Sequence, residues 1–358
     1  MSIVFLIPTP PPVLPEAEAY AQEIGALRRR FGGRVVYINP NRFLPRHLPV
    51  QLPRPLFGWH LIPGLWLAGR SHAIYQIYSP TLYAYPLLSA LRRPVVFNLT
   101  GQLGEASVPA ECFRRLAAIT VPDPASLARL REAGLDNVYQ VRAGIDTRKF
   151  HPRPQALDDE IHLLSASAPW THEQFHSKGV DALLDAALRE PRLHLTLLWR
   201  GVLTREVHRR VDDKGLRDRV RIVDQLVDVD QELAQAHATV NLATRGDIVK
   251  AFPHSLMESV AAGKPVLVSR AIPMAEPVAT RGYGVVVEEV TADAVLAAVR
   301  RLETDYAGLT QRAAALGHDD YSLDGMLESF EAVYRQIPSW VARSTRAPAL
   351  ATPGSKGE

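Results

Sequence analysis

Short apolar runs alternate with amphipathic stretches along most of this chain. Residues 2–7 form a run of the kind buried on both faces of a parallel sheet, and 16–31 follow with helical periodicity, Ala19, Ile24 and Leu27 falling on one face. Gly32 and Gly33 end that helix, and 34–38 predict the next strand, so the chain opens as β-α-β, the start of a doubly wound sheet. Further strands are predicted over 73–78 and 94–99, with a helix over 81–91 between them. A strand over 118–121 leads to a helix over 124–132, opened by Asp123 and closed by Gly134, and then to a strand over 139–142. The alternation resumes with strands over 161–166, 195–199, 220–223, 238–243 and 265–269 and helices over 181–188 and 231–237. It closes with three amphipathic helices over 292–302, 306–316 and 322–335, the last with Leu327, Phe330, Val333 and Tyr334 on one face.

This pattern predicts two α/β domains, residues 1–150 and 161–320, joined by a Pro- and Asp-rich linker over 151–160. A final helix over 321–342 is assigned separately, and the small, Pro/Gly/Ser-containing residues 343–358 are expected to be disordered. One interruption stands out. Residues 41–69 are proline-rich and apolar, carry Trp59 and Trp66, and are broken at Pro63 and Gly64; they read either as a long loop packed on the first domain or as a surface for a lipid-linked or stacking acceptor.

Composition narrows the class. A chain of 358 residues can bury a core in each of two domains, and a net charge of +3 on 41 basic and 38 acidic side chains does not point to nucleic acid. Cys112 is the single cysteine, which excludes an intrachain disulfide and fits a reducing compartment. The first ten residues lack a basic n-region and are too short an apolar run for a signal peptide or a span, so a cytoplasmic protein is expected. Prolines fill the loop after the first strand, where a dinucleotide oxidoreductase would carry G-x-G-x-x-G. His172 and His176 stand at helical spacing, but two ligands without a cysteine do not make a zinc site, and no metal is expected.

The chemistry concentrates in 250–284, KAFPHSLMESVAAGKPVLVSRAIPMAEPVATRGYG. A loop over 251–254 leads to a helix predicted to open near Ser255, a stop at Gly263 and a buried strand over 265–269. Ser255 with Glu258 three residues on has capping-box spacing, so Glu258 reads as a cap. It reads equally as a ligand-facing group, because a helix that starts after a loop at a strand's carboxyl end presents N–H groups to an anion.

The stretch resembles the signature of retaining glycosyltransferases of the GT-B fold, family 4, in which two glutamates separated by seven residues precede G-x-P-V-[VL]-x-S. Phe252, Ser255, Leu256, Glu258, Ala262, Gly263, Pro265, Val266 and Ser269 match it. Ala143 to Phe150 is similar to the family's N-G-[VI]-D-x-x-x-F turn, where Asp146 is expected to be structural, and Lys178-Gly179 to its K-G pair. The resemblance implies two Rossmann-like domains facing a central cleft, the first on the acceptor side and the second on the nucleotide-sugar side, with the final helix over 321–342 crossing back to the first; Glu258 would hold the ribose and Lys178 the diphosphate of a nucleotide-sugar. It implies a site of Thr100, Gly101, Lys178 and Glu258, surrounded by Arg200, Arg245, Asp247, Lys250, Phe252, Pro253, His254, Ser255 and Leu256. The first glutamate's place is taken by Lys250, a charge reversal; Lys250 is a site residue or a solvated loop lysine, and Asp247 could supply the carboxylate. Thr100 stands where relatives carry a histidine and can position a sugar but not act as a base. The arginine expected beside Ser167 is absent, and Arg200 or Arg245 could replace it unless each is ordinary surface. The family's glycine pair after the first strand is also absent.

The implied reaction moves a sugar, with retention, from a nucleotide-diphosphate-sugar to a glycan or lipid-linked acceptor in polysaccharide or glycolipid assembly. No cofactor or metal is implied, since Lys178 and helix N-termini can neutralise the leaving diphosphate. Peripheral contact with the inner face of the membrane is compatible with such an acceptor. Two alternatives stay open: a non-catalytic relative that binds a sugar-nucleotide or a partner transferase, and a sugar-nucleotide epimerase or hydrolase, for which a cluster of histidines and carboxylates would be expected.

Overall fold

A computed structural model describes residues 2–9, 14–43, 51–68, 74–104, 107–153, 155–199 and 203–344. The first six strands, β1 (Ile3–Ile7), β2 (Gly33–Tyr37), β3 (Ile74–Ser79), β4 (Val95–Leu99), β5 (Ala118–Val121) and β6 (Val138–Gln140), form one parallel sheet in the order β2-β1-β3-β4-β5-β6. Its crossovers contain α1 (Ala19–Phe31), α2 (Ile62–Ala68), α3 (Leu87–Ala90), α4 (Ala110–Phe113) and α5 (Pro124–Glu132). β1, β3 and β4 are buried throughout, as parallel strands covered on both faces must be. Asp123 caps α5 by accepting from the Ser126 N–H at 2.8 Å, and Gly134 follows with φ of +79°, the left-handed stop that ends the helix.

Two expectations fail in this half. The helix expected over 81–91 shrinks to α3, because Pro86 holds the residue before it out of the helical region. Conversely, α2 forms through Pro63, which sits in its first turn where a missing N–H breaks no bond. The 41–69 stretch is thus partly helical: Phe57, Ile62 and Leu65 join the core while Trp59, Trp66 and Leu67 stay exposed.

The second sheet is β7 (Ile161–Ser165), β8 (Leu193–Leu198), β9 (Val220–Val223), β10 (Ala238–Asn241), β11 (Val266–Ser269) and β12 (Gly284–Val287), all parallel, in the order β12-β11-β10-β7-β8-β9. Around it lie α6 (Glu173–Ser177), α7 (Val180–Arg189), α8 (Thr204–Asp213), α9 (Val229–Ala234), α10 (His254–Ala261), α11 (Ala275–Arg281), α12 (Ala292–Thr304) and α13 (Tyr306–Asp320). The apolar pattern does not show α8, which buries only Val207 and Val211 and is otherwise charged. α14 (Leu323–Ser344) returns to the first sheet: Met326, Phe330, Val333, Tyr334 and Ile337 share a core with Ile3, Phe5, Ile24 and Leu27. Tyr334 donates to the buried Gln76 side chain on β3, and Glu331 pairs with Arg30 of α1 at 3.0 Å. Of the tail expected to be disordered, Arg343 and Ser344 end α14 and 345–358 lie outside the described residues. No helix among the described residues is long and apolar enough to cross a membrane.

Candidate active site

Each sheet reverses its strand order once, between β1 and β3 in the first and between β7 and β10 in the second. A parallel sheet leaves a crevice at the carboxyl ends of its strands at such a point, because the connections on either side run away from it. The two crevices face each other. Gly101, just after β4, forms an antiparallel bridge with Lys250, in the loop between β10 and α10. Close approach explains two glycines: a Cβ on Gly101 would lie 2.6 Å from the Pro80 carbonyl, and one on Gly246 would lie 1.8 Å from the Gln102 side chain of the opposite domain.

Glu258 decides between cap and ligand. α10 begins at His254 with Pro253 as N-cap and no capping side chain, and the Leu256 and Met257 N–H groups donate to the Pro253 carbonyl. Ser255 is therefore inside the helix, and the expected capping box does not form. Glu258 is the fifth helical residue; with His254 one turn before it, it makes the partly exposed face of an otherwise buried helix. No hydrogen bond or ion pair among the described residues engages its carboxylate, and burial pushes its pKa up to about 7 against the opposing charge of Lys149. A carboxylate kept half-dry without a partner is destabilising unless something else hydrogen-bonds it.

Lys250 and His254 have a partner that sequence reasoning missed. Glu23, on α1 of the first domain, accepts from Lys250 and lies 3.1 Å from His254 Nε2, with only 12% of its side chain exposed. Burial alone would raise the Glu23 carboxyl, but the Lys250 charge and the His254 and Lys250 hydrogen bonds outweigh it and hold the group at about 2. Burial, with Lys250 beside it, lowers the His254 pKa, so the cluster is a carboxylate, an ammonium and a neutral imidazole. Lys250 is therefore not a solvated loop lysine: it is largely buried and its charge is shared with Glu23. The cluster borders a small cavity lined also by Thr100, Asn98, Arg142 and Phe252.

The remaining expected residues divide. Lys178 is 9% exposed and donates to the Ala168 carbonyl at 3.0 Å in the loop after β7, beside the crevice. The exposed Arg245 pairs with Asp247 at 3.1 Å; Arg200 lies outside the described residues. Thr100 donates to the Ser79 carbonyl at 3.4 Å and lines the same small cavity. Phe252 packs toward Tyr321, and Leu256 is a core residue whose N–H is already bonded, a correction to its place in the site. The Asp146 side chain pairs with Arg148 at 2.8 Å and does not cap the turn that follows, so the expected bond to its own backbone does not form. Ser269 accepts from the Ala243 N–H and donates to the Ala243 carbonyl, pinning β10 to β11. Glu23 carried no local signal, since it lies 227 residues from Lys250.

The architecture is the GT-B fold. Sucrose-phosphate synthase from Thermosynechococcus elongatus superposes with a TM-score of 0.69 at 17% identity, covering 95% of this chain and 100% of that one. Anabaena HepE in complex with UDP-glucose gives 0.67 at 16%, covering 96% and 100%. WaaG, a glycosyltransferase involved in lipopolysaccharide biosynthesis, gives 0.64 at 14%, covering 92% and 98%. In sequence, the family described as Glycosyl transferases group 1 matches residues 171–317, which include Lys178 and Glu258. Comparison with curated proteins returns no significant match.

Proposed function

We propose that this protein is a glycosyltransferase that takes a sugar from a nucleotide-diphosphate donor, with Glu258 receiving the ribose hydroxyls. The observation that carries the reading is the partly exposed Glu258 carboxylate on α10, the helix that follows β10 at the switch point; it finds no partner among the described residues and is raised by burial to about 7. Two adjacent hydroxyls donating to it would remove the cost of its desolvation. The match over 171–317 and the fold shared with Anabaena HepE, solved in complex with UDP-glucose, support the same reading and make a uridine nucleotide the first donor to try. In this reading Lys178, just before α7, meets the diphosphate by exchanging its bond to the Ala168 carbonyl for a phosphate oxygen. The acceptor hydroxyl attacks the anomeric carbon as its bond to the phosphate oxygen breaks. Its proton passes to that oxygen on the same face, so configuration is retained and no protein base is needed. The acceptor class is a glycan or a lipid-linked sugar.

A second reading has one observation in its favour. The Glu23, Lys250 and His254 cluster joins the domains at the place where donor sugar and acceptor would meet. It suits a non-catalytic binder, and it is also the grouping of histidine and carboxylate that a hydrolase or epimerase would need. Thermal melting with UDP, GDP, ADP, CDP and dTDP identifies the nucleotide and tests Glu258, since a ligand at 100 times its Kd adds about 2.7 kcal/mol. One nucleotide should stabilise the protein, and Glu258→Ala should weaken it by about 1–3 kcal/mol. Equal stabilisation of wild type and variant would remove Glu258 from the ribose. Incubation with the matching nucleotide-sugar should then yield a transferred sugar with retained configuration; free or isomerised sugar would favour the hydrolase or epimerase, and an unchanged donor the binder.

A further inference from the structure

The end of the second sheet away from the cleft holds a side-chain cluster that the proposed reaction does not use. β7 and β8 are parallel neighbours in which His162 and His194 are register partners, so both rings leave the same face of the sheet. The rings stack with centroids 4.9 Å apart and planes 26° from parallel. Both Nε2 atoms address the same oxygen, Oε2 of Glu160, at 3.0 Å from His162 and 3.7 Å from His194. The three candidate ligand atoms all lie within 4.8 Å of one another. Ligand atoms around a tetrahedral zinc ion with bonds of about 2.0–2.1 Å are roughly 3.3 Å apart, so the set closes on an ion by side-chain movement alone.

From this geometry we propose that Glu160, His162 and His194 form a divalent-cation site of the zinc class that fastens the end of the interdomain linker to the second sheet. The backbone beneath it is fixed. The Glu160 N–H donates to Asp158 Oδ1 at 3.1 Å, and the His162 N–H donates to His237 Nδ1 at 2.9 Å. His237 Nε2 lies 3.0 Å from the Ala156 carbonyl, so both of its nitrogens are occupied and it is scaffold rather than a fourth ligand. The nearby cations are held by other acceptors: Arg219 by the Ala187 and Glu190 carbonyls, Arg192 by Glu303 and the Asp159 carbonyl. Glu160 is exposed and both imidazoles are partly exposed, which leaves room for water as the fourth ligand. A histidine–carboxylate hydrogen bond would need one imidazole; the second, stacked on it and turned to the same oxygen, is what a shared cation explains.

The test is a calorimetric titration of chelator-stripped protein with Zn²⁺, paired with Co²⁺ absorption to report tetrahedral coordination. One ion per chain is expected, with a raised melting temperature in Zn²⁺. His162→Gln, His194→Gln and Glu160→Gln should each weaken binding by at least about 10-fold. Glu160→Gln keeps both rings and alters an exposed residue, so its metal-free melting temperature should equal wild type. The double variant His172→Gln/His176→Gln, at the histidine pair elsewhere in the chain, should bind normally. Binding unchanged in His162→Gln and His194→Gln, loss of binding in the His172/His176 variant, or no heat and no melting shift in wild type would each overturn the site.

Discussion

An ionised Glu258 works against the folded state. Its folded pKa of about 7 lies above the ordinary 4.5 of a carboxyl, so between those values the folded chain keeps a proton that the unfolded chain has lost. Stability therefore falls as pH rises through that window, and above pH 7 the full cost, on the order of 1–3 kcal/mol, persists. Glu258→Gln removes the charge and keeps the shape. Calorimetry should find the variant melting above wild type at pH 8 and level with it at pH 4, while its nucleotide binding is lost. A lower melting temperature at pH 8 would mean that the carboxylate bonds something within the protein. Sequence alone could not separate these roles, because Ser255 and Glu258 have capping spacing whichever residue starts the helix. The start is set by Pro253, whose carbonyl accepts the first two helical bonds and leaves Ser255 as the second helical residue rather than the cap. Lys250 was illegible for a different reason: its partner reaches it only after two sheets have folded and met.

Among elements, legibility follows burial. β1, β4, β5 and β7 lie within a residue or so of their expected bounds, because a strand covered on both faces is an uninterrupted apolar run closed by polar or turn residues. α8 carries little apolar signal, and α3 was overread because the apolar residues 82–88 could not reveal how strongly Pro86 restricts the chain before it. α14 was legible as an amphipathic helix, while its target on the first sheet came from the resemblance. Its anchor is Phe330, 3% exposed and packed with Tyr334 against the core of β1 and α1. Phe330→Ala should cost about 3–5 kcal/mol in urea unfolding. Because α14 joins the chain's end to its first sheet, the loss should appear in the transition of the first domain; a loss under 1 kcal/mol would mean the helix adds little to that core.

For the whole molecule, the relevant fact is that the two carboxyl edges are held together by charge across a partly dry cleft. Glu23 is kept ionised down to about 2, so the stability it contributes is present above the ordinary carboxyl value near 4.5 and is lost as pH falls toward 2. His254 acts in the same direction, since its lowered pKa means that protonation below its ordinary 6.5 favours the open chain. Acid should therefore loosen the domain contact before the cores unfold, which small-angle scattering between pH 7 and pH 3 would show as a rise in radius of gyration. Removing one partner is worse than removing both: Glu23→Gln leaves Lys250 half-buried beside His254 and should cost about 2–4 kcal/mol, whereas Glu23→Gln with Lys250→Met should recover most of it. Lys250→Glu, which sets two carboxylates against each other, should open the cleft at neutral pH. If the cluster closes a working site, the double variant keeps nucleotide binding and loses sugar transfer; if it only fastens the domains, transfer survives at a reduced melting temperature. Equal stability of the single and double variants would show that the three groups do not act as a unit.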